Sequence, residues 1–170
     1  LIPIGLENRW YFKNGKLNPI RKIKKIKQEK DILLLSLFNV GTNPERILIN
    51  DIIRDNSQVV IPDRKNKLDY LSYLQRSKFN LCPEGNGPDT HRVWESLMLK
   101  SIPIMIKNNF SKQLTDYNIP ILLIDDWDKL REIDKDKFNT FYENNSQKLE
   151  TFNYVHFSYW ENKFNQYLDV

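Results

Sequence analysis

Ser77-Lys78-Phe79-Asn80-Leu81-Cys82-Pro83-Glu84-Gly85-Asn86-Gly87-Pro88-Asp89-Thr90-His91-Arg92-Val93-Trp94-Glu95-Ser96-Leu97, with Ile102-Pro103-Ile104-Met105-Ile106 a few residues on, decides the fold. Phe79 to Cys82 reads as a short strand stopped by Pro83, because proline cannot donate to a ladder. The loop from Glu84 to Asp89 follows, and Thr90 suits a helix cap. Val93, Trp94, Leu97 and Met98 then recur at helical spacing, and Ile102 to Ile106 is a second apolar strand. Strand, loop, helix and strand within thirty residues make a parallel unit.

Working outward, Asp31 to Val40 contains the unbroken run Ile32-Leu33-Leu34-Leu35, as expected of a strand covered on both faces. Thr42 or Asn43 caps a following helix with Pro44 in its first turn, and Ile47, Leu48, Ile52 and Ile53 are read as its apolar face. Val59-Val60-Ile61 is a strand ended by Pro62, and Leu68, Leu71 and Leu74 mark a second helix. Ile121 to Ile124 is a further strand. From Trp127 onward, Leu130, Phe138, Phe141, Tyr142, Leu149 and Phe152 fall at mostly helical intervals. Between Thr151 and Trp160, aromatics surrounding His156 read as the docking surface of a terminal helix. The expected fold is α/β, a Rossmann-like doubly wound parallel sheet of about five strands with flanking helices. The expected organisation is one domain over 1–170: a lead-in segment at 1–30, the Rossmann-like core at 31–126 and carboxyl-terminal helices at 127–170. Residues 1–20 read as an irregular, aromatic-anchored lead-in.

Composition excludes several classes. With 170 residues, 40% hydrophobic and 28% charged, the chain is globular and about one domain long. Its one cysteine, Cys82, has no partner for an internal disulfide and rules out zinc sites built on paired cysteines; its setting reads as a small buried residue. No run is long and apolar enough for a membrane span, and the first residues lack a signal-peptide pattern, so the expected location is cytoplasmic. The chain does not begin with methionine, which suggests a fragment. Residues 1–85 carry 16 Lys and Arg against nine Asp and Glu, a net +7, whereas residues 86–170 are at −3. The run Arg21, Lys22, Lys24, Lys25, Lys27 and Lys30 supplies much of that excess. It is read as a solvated linker leading into the first strand; few aromatics interleave with it, so nucleic acid is not the expected partner.

In a doubly wound sheet ligands sit at the carboxyl ends of the strands, which singles out the loop after Cys82. Gly85 and Gly87 allow close backbone approach, and the free N–H groups of the next helix favour an anion. Arg92 in that first turn is a bidentate donor suited to phosphate, and Glu95 can accept the hydroxyls of a ribose. Each has a plainer reading: a turn for the glycines, a helix cap for Asp89, a first-turn polar residue for His91, a solvated Arg92–Glu95 pair.

The same stretch, with Ile102-Pro103-Ile104, resembles the donor-binding signature of exostosin-like glycosyltransferases. Weaker similarity lies in Pro3-Ile4-Gly5-Leu6-Glu7-Asn8, which resembles the crossing segment between lobes, and in Phe38 to Arg46. The resemblance implies a GT-B architecture of two Rossmann-like lobes, with this chain the carboxyl-terminal, donor-binding lobe and the amino-terminal acceptor lobe outside it. It implies transfer of a sugar from a nucleoside-diphosphate sugar, UDP-sugar favoured, to the hydroxyl of a glycan or protein acceptor. The donor would be held by Pro83, Gly85, Asn86, Gly87, Asp89, Thr90, His91, Arg92 and Glu95, together with Thr42 and Arg46. No metal or other cofactor is expected, and the catalytic base is not assigned. Asp125-Asp126 could suggest a metal-binding pair, but adjacent carboxylates on an extended chain point to opposite sides, and Asp128 reads as a helix cap. One departure stands out: Glu84 occupies the place after Cys-Pro where the resembling family is expected to have arginine. A non-catalytic nucleotide- or anionic-glycan-binding module is the alternative reading.

Overall fold

The computed structural model describes residues 4–5, 18–63, 66–154 and 156–168. Most of the expected aromatic lead-in therefore lies outside the described residues. Five strands form one all-parallel sheet: β1 (Ile32–Leu35), β2 (Val59–Val60), β3 (Ser77–Leu81), β4 (Ile102–Ile106) and β5 (Leu122–Ile124), in the order β2-β1-β3-β4-β5. Leu34 pairs with Val59 on one side and Phe79 on the other; Phe79 in turn pairs with Ile102, and Ile104 with Leu122. The described α-helices are α1 (Asn18–Lys25), α2 (Glu45–Ile53), α3 (Lys67–Arg76), α4 (His91–Met98), α5 (Asn109–Asp116), α6 (Lys135–Glu150) and α7 (Phe157–Leu168). This is the expected Rossmann-like α/β arrangement. Among the described residues no helix is long and apolar enough to cross a membrane.

Successive strand residues point to opposite faces, and the core divides accordingly. Leu34 packs with Ile49 and Ile53 of α2 and with Phe79, whose ring meets Phe138 edge-on at 5.0 Å and Tyr142 at 5.9 Å, both on α6. Leu35 packs in a second cluster with Ile20 and Ile23 of α1 and with Tyr70, Leu71 and Leu74 of α3. The basic run is thus no solvated linker. Ile20 and Ile23, three residues apart and buried, turn it into an amphipathic helix with lysines on its outer side.

The expected face of α2 is corrected in the same way. Ile47 and Leu48 are 53% and 64% exposed, whereas Ile49 and Ile53 are fully buried, with Arg46 on the same side. Four isoleucines and a leucine in nine residues leave two stripes open, and the choice falls to the one that also buries Arg46. Leu68 likewise stays exposed on α3, where Tyr70 joins Leu71 and Leu74 inside. Helix α5, which the sequence reading does not contain, starts with a capping box: Asn108 Oδ1 accepts the Ser111 N–H and Ser111 Oγ accepts the Asn108 N–H. In the short helical turn that follows β5, Trp127–Leu130, Asp126 rather than Asp128 is the cap.

Helices α4 and α5 end alike, with a residue in the left-handed region. Lys100 (φ 61°) donates to Leu97 O while the next N–H, that of Ser101, reaches Ser96 O; Asn118 (φ 58°) and Ile119 repeat the pattern with Thr115 O and Leu114 O.

The corrected face of α2 yields a stability prediction. Ile49→Ala should cost about 2–5 kcal/mol by chemical denaturation, whereas Leu48→Ala should change stability by less than about 0.5 kcal/mol.

Candidate functional site

Between β1 and β3 the chain order reverses: from β1 it crosses to β2 on one side, and from β3 to β4 on the other. The loops leaving these two strands diverge and open a crevice at their carboxyl ends. It has a volume of about 530 Å³, within the range of small-molecule sites. Of the residues read from the sequence, Thr42, Arg46, Gly85, Asn86, Gly87, Asp89, Thr90, His91, Arg92 and Glu95 line it; Pro83 does not. Ile4, Lys67 and Tyr70 join them.

Arg46 builds the floor. Its guanidinium donates to three main-chain carbonyls, from Nε to Glu84 at 2.8 Å, from Nη1 to Asn39 at 3.0 Å and from Nη2 to Pro83 at 3.1 Å. One side chain from α2 therefore fastens the loop after β1 to the loop after β3. Burial, and then the charge of Arg92, lower its pKa from the usual arginine value, but an arginine stays protonated at any working pH. Gly85 is small for this reason: a Cβ there would stand 3.3 Å from Arg46 Nη2 and 3.6 Å from the Thr90 methyl. Gly87 has open space instead.

Glu95 forms the back wall. It is 3% exposed, and its two oxygens accept from Lys67 Nζ and from the Tyr70 hydroxyl, each at 2.7 Å. This overturns the reading of Glu95 as half of a solvated surface pair. Burial and then the Glu95 charge push the Tyr70 hydroxyl well above its usual pKa, so it stays a donor. The missed contributors sit in the first turn of α3. The signal for them is topological: in a parallel sheet every crossover helix begins at the carboxyl end of a strand, so the first turn of α3 faces the same crevice as that of α4.

Arg92 is tethered but not spent. Its Nη1 donates to Leu37 O at the end of β1 and lies 3.5 Å from the Tyr70 hydroxyl, and its guanidinium carbon is 5.6 Å from the Tyr70 ring. Its Nε is buried with no partner among the described residues, and so is Thr90 Oγ1. Thr90 occupies the cap position of α4 without a side-chain cap bond. An unsatisfied buried donor costs about 1–3 kcal/mol, and here two unpaired polar atoms sit at one helix amino terminus.

The rim is drawn together by Asp89 and His91. Asp89 accepts the Trp94 indole N–H at 2.7 Å and the Ile4 N–H at 2.8 Å, and His91 Nδ1 is 2.8 Å from Gly5 O. A carbonyl oxygen only accepts, so Nδ1 carries the hydrogen and Nε2 is the acceptor nitrogen of the neutral ring. Glu84 points elsewhere, its carboxylate accepting from Asn108 Nδ2 at 2.8 Å ahead of α5. Its negative charge thus leaves the crevice wall. Cys82 is buried, and burial pushes its thiol up to about 12, which makes it a packing residue. Asp125 lies 3.5 Å from Lys107 Nζ, and among the described residues no three His, Cys, Asp or Glu side chains converge on one point.

The family model for the RXYLT1 C-terminal domain matches residues 28–169, which include the whole sheet. The chain belongs to this family, a C-terminal domain of exostosin-like glycosyltransferases. No curated protein matches it. The match covers Arg46, Lys67, Tyr70, Arg92 and Glu95, and every other crevice-lining residue but Ile4.

Arg46→Met should therefore behave as a folding mutant. Losing three charge-assisted bonds and leaving buried carbonyls unpaired should cost about 3 kcal/mol or more, measured by urea denaturation.

Proposed function

We propose that the crevice binds a nucleoside-diphosphate sugar, with uridine diphosphate as the preferred nucleotide, and that this chain is the donor lobe of a two-lobed GT-B glycosyltransferase. The observation that carries the reading is the pair of unsatisfied polar atoms, Arg92 Nε and Thr90 Oγ1, at the amino terminus of α4 inside a switch-point crevice. A diphosphate supplies what both lack, since its oxygens accept from the guanidinium, the hydroxyl and the helix N–H groups. The charge balance supports it. Arg46, Arg92 and Lys67 line the crevice with Glu95 and Asp89; one carboxylate faces Lys67 and Tyr70, and the other is engaged at the rim.

In the transfer an acceptor hydroxyl oxygen bonds to the anomeric carbon as the bond from that carbon to the diphosphate oxygen breaks. The electron pair leaves with the nucleoside diphosphate, and the acceptor proton passes to a base. Charge builds on the leaving diphosphate, where Arg92 and the α4 N–H groups stabilise it from fixed positions. Glu95, held by Lys67 and Tyr70, offers a rigid acceptor for sugar or ribose hydroxyls. The acceptor, a glycan or protein hydroxyl, would be presented by the other lobe.

Calorimetric titration with a panel of nucleoside diphosphates tests the reading, uridine diphosphate being expected to bind best. Arg92→Ala should weaken diphosphates about tenfold to a hundredfold and uridine hardly at all. Binding of glycans with no response to any nucleotide would support a non-catalytic module instead. EDTA should leave nucleotide binding unchanged, because the proposed charge stabilisation is supplied by protein groups; a strong loss of affinity on chelation would bring a cation into the site.

A further inference from the structure

The opposite end of the sheet holds a second cavity, of about 570 Å³, bounded by the end of α1, the connection to β1, the turn from α4 to β4 and one side of α6. Lys24, Lys25, Lys27, Lys30 and Lys100 line it, with Glu150 the one carboxylate among its lining residues. We propose that this cavity is a second anion site, separate from the nucleotide crevice, for a sulfate- or phosphate-type tetrahedral oxyanion.

Two observations distinguish it from a solvated basic face. The first is Lys30, whose ammonium is drawn inward to donate to Ser77 O at 2.9 Å and Leu99 O at 3.0 Å. An ammonium has three donors, and the described residues offer Lys30 no third acceptor. Burial and then the charge of Lys100 hold it down to about 7, with Glu150 the opposing influence. An oxyanion in the cavity would take the third hydrogen and restore the charge. The second is Lys100. It stands in the left-handed conformation at the end of α4, where glycine or asparagine is favoured, as Asn118 shows after α5. A lysine there carries a backbone penalty, and its side chain reaches Glu150 across the cavity. The other titratable groups facing Lys30 are Tyr142 and Glu150 from α6 and Lys24, Lys25 and Lys27 from α1 and its exit; α3 contributes Gln75, which is uncharged.

Sulfate suits the test because its own charge does not change between pH 6 and 9. The chain is titrated calorimetrically with inorganic sulfate and with a sulfated disaccharide, with uridine diphosphate as competitor. Saturable binding that uridine diphosphate does not displace is expected. Preference for the disaccharide would assign the group to a sugar-borne ester, and equal binding to a free anion. Affinity should be level below pH 7 and fall above it as Lys30 loses its proton. Lys24→Gln with Lys27→Gln should weaken binding at least about tenfold. Lys100→Gly should do the same while its melting temperature is unchanged or higher, which separates lost charge from lost fold. Absence of saturation, displacement by uridine diphosphate, a flat pH profile or full affinity in Lys100→Gly would each overturn the proposal. Apart from displacement by uridine diphosphate, none of these outcomes bears on nucleotide binding at the other end.

Discussion

The crevice depends on one buried guanidinium. Arg46 projects from α2 beneath two loops that leave neighbouring strands in opposite directions, and it bonds the carbonyls of Asn39, Pro83 and Glu84 together. Those carbonyls belong to backbone with no ladder to join, so they need a donor where water has been displaced. A carboxylate partner would have neutralised the cation. Carbonyls take three of its five hydrogens and leave its charge, so the clamp that closes the backbone also adds positive charge to the crevice.

That positive potential is balanced locally rather than cancelled. Glu95 is the buried counter-charge, and it is positioned by two residues of α3, while Tyr70 links it to Arg92 through a single hydroxyl. Helices α3 and α4 are therefore coupled through polar groups at their first turns as well as through apolar contacts behind them. A buried polar set of this kind fixes side-chain positions before a ligand arrives, which is what a site that stabilises developing charge requires.

The sheet was legible in the sequence because parallel strands, buried on both faces, write themselves as short unbroken apolar runs: Ile32 to Leu35, Val59-Val60 and Ile102 to Ile106. The helix at 18–25 was not, because six basic residues between Arg21 and Lys30 hide the two isoleucines that anchor it. The face of α2 was misread because its apolar residues fit two stripes, and a buried arginine decided between them. Within the crevice, the residues following β3 were legible as a contiguous motif. Lys67 and Tyr70 were not, since they reach Glu95 from a different helix and carry no local pattern. Glu84 was legible only as a departure from the expected pattern; its orientation depended on Asn108, which lies 24 residues away.

The rim shows how a short contact sets the shape of the whole mouth. Asp89 spends one oxygen on Trp94, a fully buried anchor of α4, and the other on the backbone of Ile4, eighty-five residues earlier. His91 repeats the tie at Gly5, whose φ of +70° turns the chain at that point. Both ties end in the loop and first turn that carry Thr90 and Arg92. Displacing Ile4 and Gly5 would leave an Asp89 oxygen and the His91 Nδ1 hydrogen without those partners at the place proposed for the diphosphate. The Asp89 carboxylate, without that N–H dipole, would repel an anion there more strongly. Seating the early segment thus aims a backbone N–H dipole at the Asp89 carboxylate, which keeps its charge but is better screened at the mouth of the crevice, and the position of residues 4–5 becomes part of its electrostatics.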